Sequence, residues 1–348
     1  MLDHHSIPAT ATILDALRSL NTLPSGAPMT LIVLDADRRV AGTVTDGDLR
    51  RGLLRGLQLD SPVAETMHRE FGHVTEGQPD AVERIRDLRI RGIRLIPVTD
   101  ANGRLTELID TAVTPNRLPI GAILMAGGKG ERLRPLTLTT PKPLLRVGDR
   151  PIIEYNIRAL ASMGVKDIAV TTNYLAEQIE EYFRRTRPSV RTVRETFPMG
   201  TLGSATLCGV PAEGDTLVMN ADLLTDLPLE ELYLHHRARH ADITIAAIPY
   251  NVSVPYAILS TDPDSHVVKG LEEKPSYSYF ANAGIYLISN RLLARLAPGE
   301  RTDAPDFIEQ AIADGASVTF FPISGTWIDI GSPTDYHRAC ELMEKGRI

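Results

Sequence analysis

Residues 123–145, ILMAGGKGERLRPLTLTTPKPLL, combine three glycines with four cationic side chains. A strand-like apolar run ends at Ala126 and leads into a turn at Gly127, Gly128 and Gly130. Glycine has no Cβ, so the backbone N–H groups of such a turn can come close to phosphate oxygens. Lys129, Arg132, Arg134 and Lys142 supply positive charge for an anionic ligand. Two common phosphate loops are excluded. Gly, four residues and then Gly-Lys-Ser/Thr does not occur, and a G-x-G-x-x-G pattern would need glycine where Leu133 stands. Pro135 discourages a long helix directly after the turn. The reading is therefore an extended wrap around a triphosphate, with the chain returning at Pro141-Lys142-Pro143.

A reaction in which one phosphate attacks another brings two anions into contact, and a divalent cation offsets that repulsion. Mg²⁺ takes one or two carboxylates together with phosphate oxygens and water. Two aspartates follow strand-like runs: Asp222 after TLVMN, and Asp329 within Trp327-Ile328-Asp329-Ile330-Gly331. Taken singly, either would read as a cap or turn residue.

These residues lie in a region of alternating strand-like and helix-like runs that starts at Ile120: IGAILMA, IIEYNIRALASMG, DIAVTT, LAEQIEEYFRR, DTLVMN, LEELYLHHRARH and DITIAAIPY. The alternation predicts an α/β domain over 120–348 with a largely parallel sheet, whose ligands bind beyond the carboxyl ends of the strands. Residues 1–113 hold a weak internal repeat, TILDALRSLN with LIVLDADRRVAGTVTDGDLRR and then DAVERIRDLRIRG with LIPVTDANGRLTELIDTAV. Each copy reads as helix, buried strand, turn and strand, with turns at Asp35-Ala36-Asp37 and Asn102-Gly103. Residues 114–119 carry two prolines and no periodicity and read as a linker.

AGGKGERLRPLT followed by PKPLL resembles the signature of the sugar-phosphate nucleotidyltransferase family, and the resemblance runs from Leu118 to the C-terminus. It implies a Rossmann-like, GT-A-like domain with a mixed, mainly parallel sheet, and transfer of a nucleoside monophosphate from a triphosphate to a sugar 1-phosphate. Asp222 and Asp329 match the family's metal-binding aspartates, with Ala221 in place of the usual glycine. Mg²⁺ is the implied cofactor. Arg132 would contact the leaving phosphates and Lys142 would bridge phosphates of the nucleotide. Ala126, Gly127, Gly128 and Gly130 would line the nucleotide. Glu273-Lys274-Pro275 resembles an element that binds the sugar hydroxyls and the sugar's phosphate, and Asn282 falls on a strand lining the sugar pocket. Glu195 to Ala205 occupies the base-recognition loop, where Gly200 would let the base approach the backbone and Thr201 would line the nucleotide. Glu195 stands where thymidylyltransferases place Gln. A carboxylate only accepts hydrogen bonds, and guanine offers N1–H and its 2-amino group side by side. GTP is therefore favoured, with UTP or dTTP as the alternative.

The N-terminal repeat resembles a tandem pair of cystathionine-β-synthase (CBS) domains, an α+β module that senses nucleotides. Gly42, Thr45 and Asp48 match a Gly-x-x-Thr-x-x-Asp pattern for an adenine or guanine nucleotide. The second repeat offers Glu107, Asp110 and Val113 there, so at most one site is expected. A CBS pair ahead of this domain is similar to the arrangement in guanylyltransferases acting on glucosamine 1-phosphate. Two other readings remain open: a non-catalytic nucleotide-sensing subunit, and a glycosyltransferase on a related fold.

The bulk properties fit. Net charge is −7 and no basic block stands out, which argues against nucleic acid as a partner. Two cysteines, Cys208 and Cys340, suggest a reducing compartment without a disulfide framework. No apolar run approaches the roughly 18 residues of a membrane span, and the N-terminus does not read as a signal peptide. A soluble cytoplasmic homo-oligomer is the expectation. His235, His236 and His240 read as a solvated helix face, Cys208 as core, and Trp327 as packing behind Asp329.

Overall fold

A computed structural model describes residues 2–262 and 264–345. The chain divides into two compact units. One runs to Leu118 and includes Ser162–Gly164; the other comprises Pro119–Ala161 and continues from Val165.

The first unit is built from the repeat. Its first copy holds β1 (Ser6–Pro8), α1 (Ile13–Asn21), β2 (Thr30–Leu34), β3 (Val40–Thr45) and α2 (Asp46–Leu54). The second holds β4 (Val74–Thr75), α3 (Ala81–Ile90), β5 (Leu95–Thr99) and β6 (Leu105–Asp110). Each copy makes a three-stranded sheet with its middle strand parallel to the first and antiparallel to the third. The registers correspond: Thr30 faces Thr45 as Leu95 faces Asp110. Asp35 and Asp100 each accept two backbone N–H groups at 2.8–2.9 Å and so close equivalent turns, and Arg39 bridges directly to Arg104. Ile32 and Leu34 pack with Leu95 and Leu108 to join the two sheets. Sequence reasoning missed β1 and β4, which are too short to show periodicity, and α2, whose run DGDLRRGLL has little apolar stripe. The segment read as a linker packs onto this unit: Asn116 is fully buried and donates to the Val82 carbonyl at 3.0 Å.

The second unit contains β7 (Ile120–Met125), the hairpin β8 (Arg146–Val147) and β9 (Arg150–Pro151), α4 (Ile152–Ser162), β10 (Ile168–Thr172), α5 (Ala176–Thr186), β11 (Arg191–Arg194) and α6 (Gly200–Gly203). It continues with β12 (Asp215–Asn220), β13 (Leu223–Thr225), α7 (Leu229–Ala238), β14 (Ile243–Ser253), β15 (Ile258–Thr261), β16 (Val268–Glu272) and β17 (Ser276–Ser289). Last come α8 (Asn290–Leu293), α9 (Ala304–Ala313), β18 (Val318–Pro322), β19 (Trp327–Asp329) and α10 (Pro333–Glu344). Seven strands form one sheet in the order β11-β10-β7-β12-β17-β14-β18, all parallel except β17. This is a mixed, mainly parallel α/β sheet. Its central strands are continuous apolar runs because helices cover both faces. Ile123, Val218 and Ile243 face α8 and α9, while on the opposite face His236 of α7 hydrogen-bonds Thr244 at 2.8 Å.

That contact corrects one expectation. His236 is buried rather than solvated; its Nδ1 lies on Thr244 and its Nε2 lies 3.4 Å from Asp215. Cys208 is core, as expected, and burial pushes its thiol up to about 12. No helix among the described residues is long and apolar enough to cross a membrane.

Helix α5 docks through Ile179 and Phe183, both almost fully buried. Phe183→Ala should lower unfolding stability by about 3–5 kcal/mol, since a large cavity replaces the ring. Urea unfolding followed by the fluorescence of Trp327, the only tryptophan, checks this; a loss below about 1 kcal/mol would place Phe183 outside the core.

Candidate active site

Because β11, β10, β7 and β12 are parallel, their carboxyl ends share one edge of the sheet. The residues that follow are Glu195, Asn173, the glycine turn and Asp222. Antiparallel β17 brings its opposite stretch to the same edge, with Ile285 facing Met219. A cleft of about 540 Å³ opens there. Ala126, Gly127, Gly128, Gly130, Arg132, Lys142, Glu195, Gly200, Thr201 and Asp222 all line it.

Asp329 arrives by a separate route. Strands β13 and β19 pair antiparallel, with Leu223 opposite Asp329, and the Ile330 N–H donates to the Asp222 carbonyl at 3.2 Å. The two carboxylates thus converge on the Lys142 ammonium. Lys142 forms an ion pair with Asp222 Oδ2, and its Nζ lies 3.7 Å from Asp329 Oδ1. Its side chain is only 10% exposed. Burial pushes the Asp329 carboxyl above its usual range, and the Asp222 charge pushes it further; Lys142 and Arg132 oppose both. Asp222 Oδ1 is buried and has no hydrogen-bond partner. Two converging carboxylates with a free buried oxygen suit a small hard cation that takes its remaining ligands from phosphate and water. Arg132 reaches the same region: a Cβ at Gly331 would stand 3.1 Å from its guanidinium.

The other end of the cleft carries no cation among its lining residues. Glu195 is buried there beside Gly127, where a Cβ would stand 2.9 Å from its Oε1. Its Oε2 accepts the Met199 N–H at 3.3 Å. Burial raises its carboxyl above the ordinary value of 4.5, against the lowering effect of the Met199 amide and the Thr171 and Ser204 hydroxyls. One of its two oxygens is thus already engaged by its own loop.

Glu273, Lys274 and Asn282 do not line this cleft. Glu273 and Lys274 are exposed in the turn between β16 and β17. Asn282 accepts the Gly284 N–H and donates to the Tyr286 hydroxyl, both at 2.9 Å. It reaches the cleft edge indirectly, through Gly284 against Asn220. Trp327 donates to the Ala283 carbonyl at 2.9 Å and so ties β19 to β17. Lys129 and Arg134 are exposed. Sequence reasoning missed Asn220 and Asp303 as lining residues. Asp303-Ala304-Pro305 carries the signal of a helix start, which locates α9 but not its approach to the cleft.

In the first unit, Thr45 and Asp48 are committed to each other. The Thr45 hydroxyl accepts the Asp48 N–H at 3.3 Å, while Asp48 Oδ2 accepts the Thr45 N–H at 2.9 Å, a capping box at the start of α2. Asp48 Oδ1 also pairs with Arg51 at 2.6 Å. Gly42 lets residues 67–68 approach; a Cβ there would stand 2.6 Å from the His68 carbonyl oxygen. A cleft of about 350 Å³ beside them is lined by Asp48, Arg51, Arg55, His68 and Arg69, among others. In the second copy Glu107 pairs with Arg117 and Asp110 with Arg94, and Val113 is exposed.

Residues 121–346 match the family described as Nucleotidyl transferase. The mannose-1-phosphate guanyltransferases of Schizosaccharomyces pombe and Eremothecium gossypii are 32% and 33% identical to this chain over 225 and 228 residues. Each alignment covers 62% of this chain, and the chain spans 62% of the length of these relatives. Among solved structures, HddC from Yersinia pseudotuberculosis shares the fold, with a TM-score of 0.50 and 24% identity over 64% of this chain and 99% of that one.

The raised Glu195 carboxyl makes stability depend on pH with a definite sign. Below 4.5 it is protonated in both states. As pH rises past 4.5 the unfolded chain ionises first, so stability is lost until pH passes the raised folded value. Glu195→Gln should therefore gain stability relative to the wild type as pH rises from 4.5, measured by urea unfolding. A pH-independent difference would show that burial does not raise this carboxyl.

Proposed function

Since this chain belongs to the nucleotidyl transferase family, we propose that its second unit joins a nucleoside triphosphate, GTP in preference, to a hexose or hexosamine 1-phosphate. The products are a nucleoside diphosphate sugar and pyrophosphate. The observation that carries this is the convergence of Asp222, Asp329 and Lys142 beside the glycine turn. The names of the relatives support GTP and mannose 1-phosphate, and Glu195 at the cation-free end of the cleft supports a base with an N–H to donate.

In the reaction, an oxygen of the sugar phosphate forms a bond to the α-phosphorus and the bond to the bridging α–β oxygen breaks. The attacking oxygen is already an anion at neutral pH, so no general base is required. The work is positioning and charge stabilisation. Backbone N–H groups of the 127–130 turn cradle the triphosphate. Arg132 and Lys142 offset charge that grows on the departing pyrophosphate; Lys274 would meet the sugar's phosphate, and Glu273 and Asn282 its hydroxyls, beyond the cleft that the nucleotide fills. Asp222 and Asp329 would hold Mg²⁺, which when bound polarises the α-phosphate and offsets repulsion between the two substrates. Lys142, which pairs with both carboxylates, would lie beside the phosphates that such an ion coordinates.

The first unit we read as a CBS pair with one regulatory nucleotide site. Because Thr45 and Asp48 satisfy each other, the charge contacts fall to Arg51, Arg55 and Arg69 around the 350 Å³ cleft. The reading includes a cytoplasmic homo-oligomer. Calorimetry of the full chain with AMP, ATP and GTP tests the regulatory site: a nucleotide-binding step that Arg51→Ala weakens is expected, and binding unaffected by Arg51→Ala would remove it.

Pyrophosphate release across GTP, UTP and dTTP against mannose, glucose and glucosamine 1-phosphates tests the reaction, and GTP should be fastest. Asp222→Asn and Asp329→Asn should each lower kcat/KM by about 10²–10³, equivalent to roughly 3–4 kcal/mol of transition-state stabilisation, with folding retained. Turnover within about twofold of wild type in either variant would misplace the cation, and UTP or dTTP as best substrate would overturn the base assignment while sparing the reaction class.

A further inference from the structure

The wall that carries Gly200 and Thr201 is held by a distant segment. The N–H groups of Leu202 and Gly203 both donate to the Thr302 carbonyl, at 2.9 and 3.1 Å, and the Thr302 N–H donates to the Met199 carbonyl at 2.9 Å. Gly200 permits this approach; its φ is +78°, and a Cβ there would stand 2.5 Å from the Thr302 oxygen. Two side chains complete the junction by exchange. Asp303 occupies the cap position of α9 yet makes no cap hydrogen bond to that helix. Its Oδ1 instead accepts the Thr201 N–H at 3.0 Å, and the Thr201 hydroxyl accepts the Ala304 N–H at 2.7 Å. Each residue satisfies the amide that the other's segment leaves open. Asp303 is one-third exposed, lines the cleft beside Pro198, Gly200 and Thr201, and steadies its second oxygen on Arg301 at 3.0 Å.

We propose that Asp303 is a positioning residue that fixes the nucleobase end of the cleft through Thr201. This rests on the reading above that the base lies at the cation-free end. The Thr201 N–H is then spent on Asp303 and is not a donor to the base; the segment acts as a preformed wall. Without Asp303 the Thr201 amide loses its acceptor, and ordering the wall becomes a cost of nucleotide binding. The phosphate end, with Arg132, Lys142 and Asp222, is untouched. The loss therefore falls on triphosphate affinity and not on turnover or the sugar phosphate.

The test uses the full chain with Asp303→Ala, Asp303→Asn, Thr201→Val and the Thr201→Val/Asp303→Ala pair. Titration calorimetry without sugar phosphate uses whichever of GTP, UTP and dTTP the wild type binds tightest. Steady-state assays give KM for both substrates and kcat. Asp303→Ala should weaken triphosphate binding and raise its KM about tenfold, the effect of losing a hydrogen bond to a charged group. The sugar phosphate KM and kcat should stay within about twofold. Asp303→Asn keeps an oxygen that accepts the Thr201 N–H and should restore affinity to within about twofold. Thr201→Val should act in the same direction, and the double variant should lose no more than the worse single one, because the two side chains form one unit. If Asp303→Ala does not fold, Thr201→Val and Asp303→Asn decide the matter. Unchanged triphosphate affinity in folded Asp303→Ala, an equal rise in the sugar phosphate KM, or Asp303→Asn as impaired as Asp303→Ala would overturn the proposal. A wild type that binds triphosphate but releases no pyrophosphate would sink the reaction alone; one that binds none of the three would sink both.

Discussion

Two ionised carboxylates that converge from different strands in a partly buried place repel each other unless a cation lies between them, and in this chain that cation is Lys142. Burial raises the Asp329 carboxyl, and the neighbouring Asp222 charge raises it further. The ammonium between them offsets that repulsion. Lys142 is nearly buried, while the Asp222 and Asp329 side chains are 24% and 40% exposed, so solvent screens part of the attraction. Positive charge, whether from Lys142 or from a divalent cation, favours both carboxylates in their ionised form. That charge sits where a triphosphate would come with a divalent cation.

The rest of the second unit serves that demand. Parallel strands deliver the glycine turn, Glu195 and Asp222 to one edge. The β13–β19 pair delivers Asp329, Trp327 ties that pair to β17, and Arg132 lies over Gly331. The opposite end has no cation among its lining residues and is stiffened by hydrogen bonds, with Glu195 on Met199 and Asp303 on Thr201. Charge lies at one end of the cleft and shape at the other, a division that suits a ligand with a polyphosphate tail and a flat, polar head.

Much of this was legible from residue types. The apolar runs in 120–125 and 215–220 are long and unbroken enough to mark central parallel strands, and the glycine turn and Asp222 follow them directly. The turns at Asp35-Ala36-Asp37 and Asn102-Gly103 were visible because short polar side chains and glycine mark tight turns locally. What escaped depends on contacts distant in sequence. Asp303 reads as a helix cap, and only the fold shows its carboxylate crossing to Thr201, 102 positions away. His236 sits on a helix with polar neighbours, and its burial follows from Thr244 and Asp215 beyond that helix. Thr45 and Asp48 fit a ligand pattern and a capping box equally well, since both use the same two residues at the same spacing.

The account stands most directly on the claim that Asp222 and Asp329 together hold a divalent cation when triphosphate is present. Titrating Mn²⁺ into the full chain with GTP, followed by electron paramagnetic resonance of the free ion, measures this without turnover. Bound Mn²⁺ that is lost in the Asp222→Asn/Asp329→Asn variant, while GTP alone still binds, is the predicted result. Mn²⁺ bound equally well by the variant would contradict it.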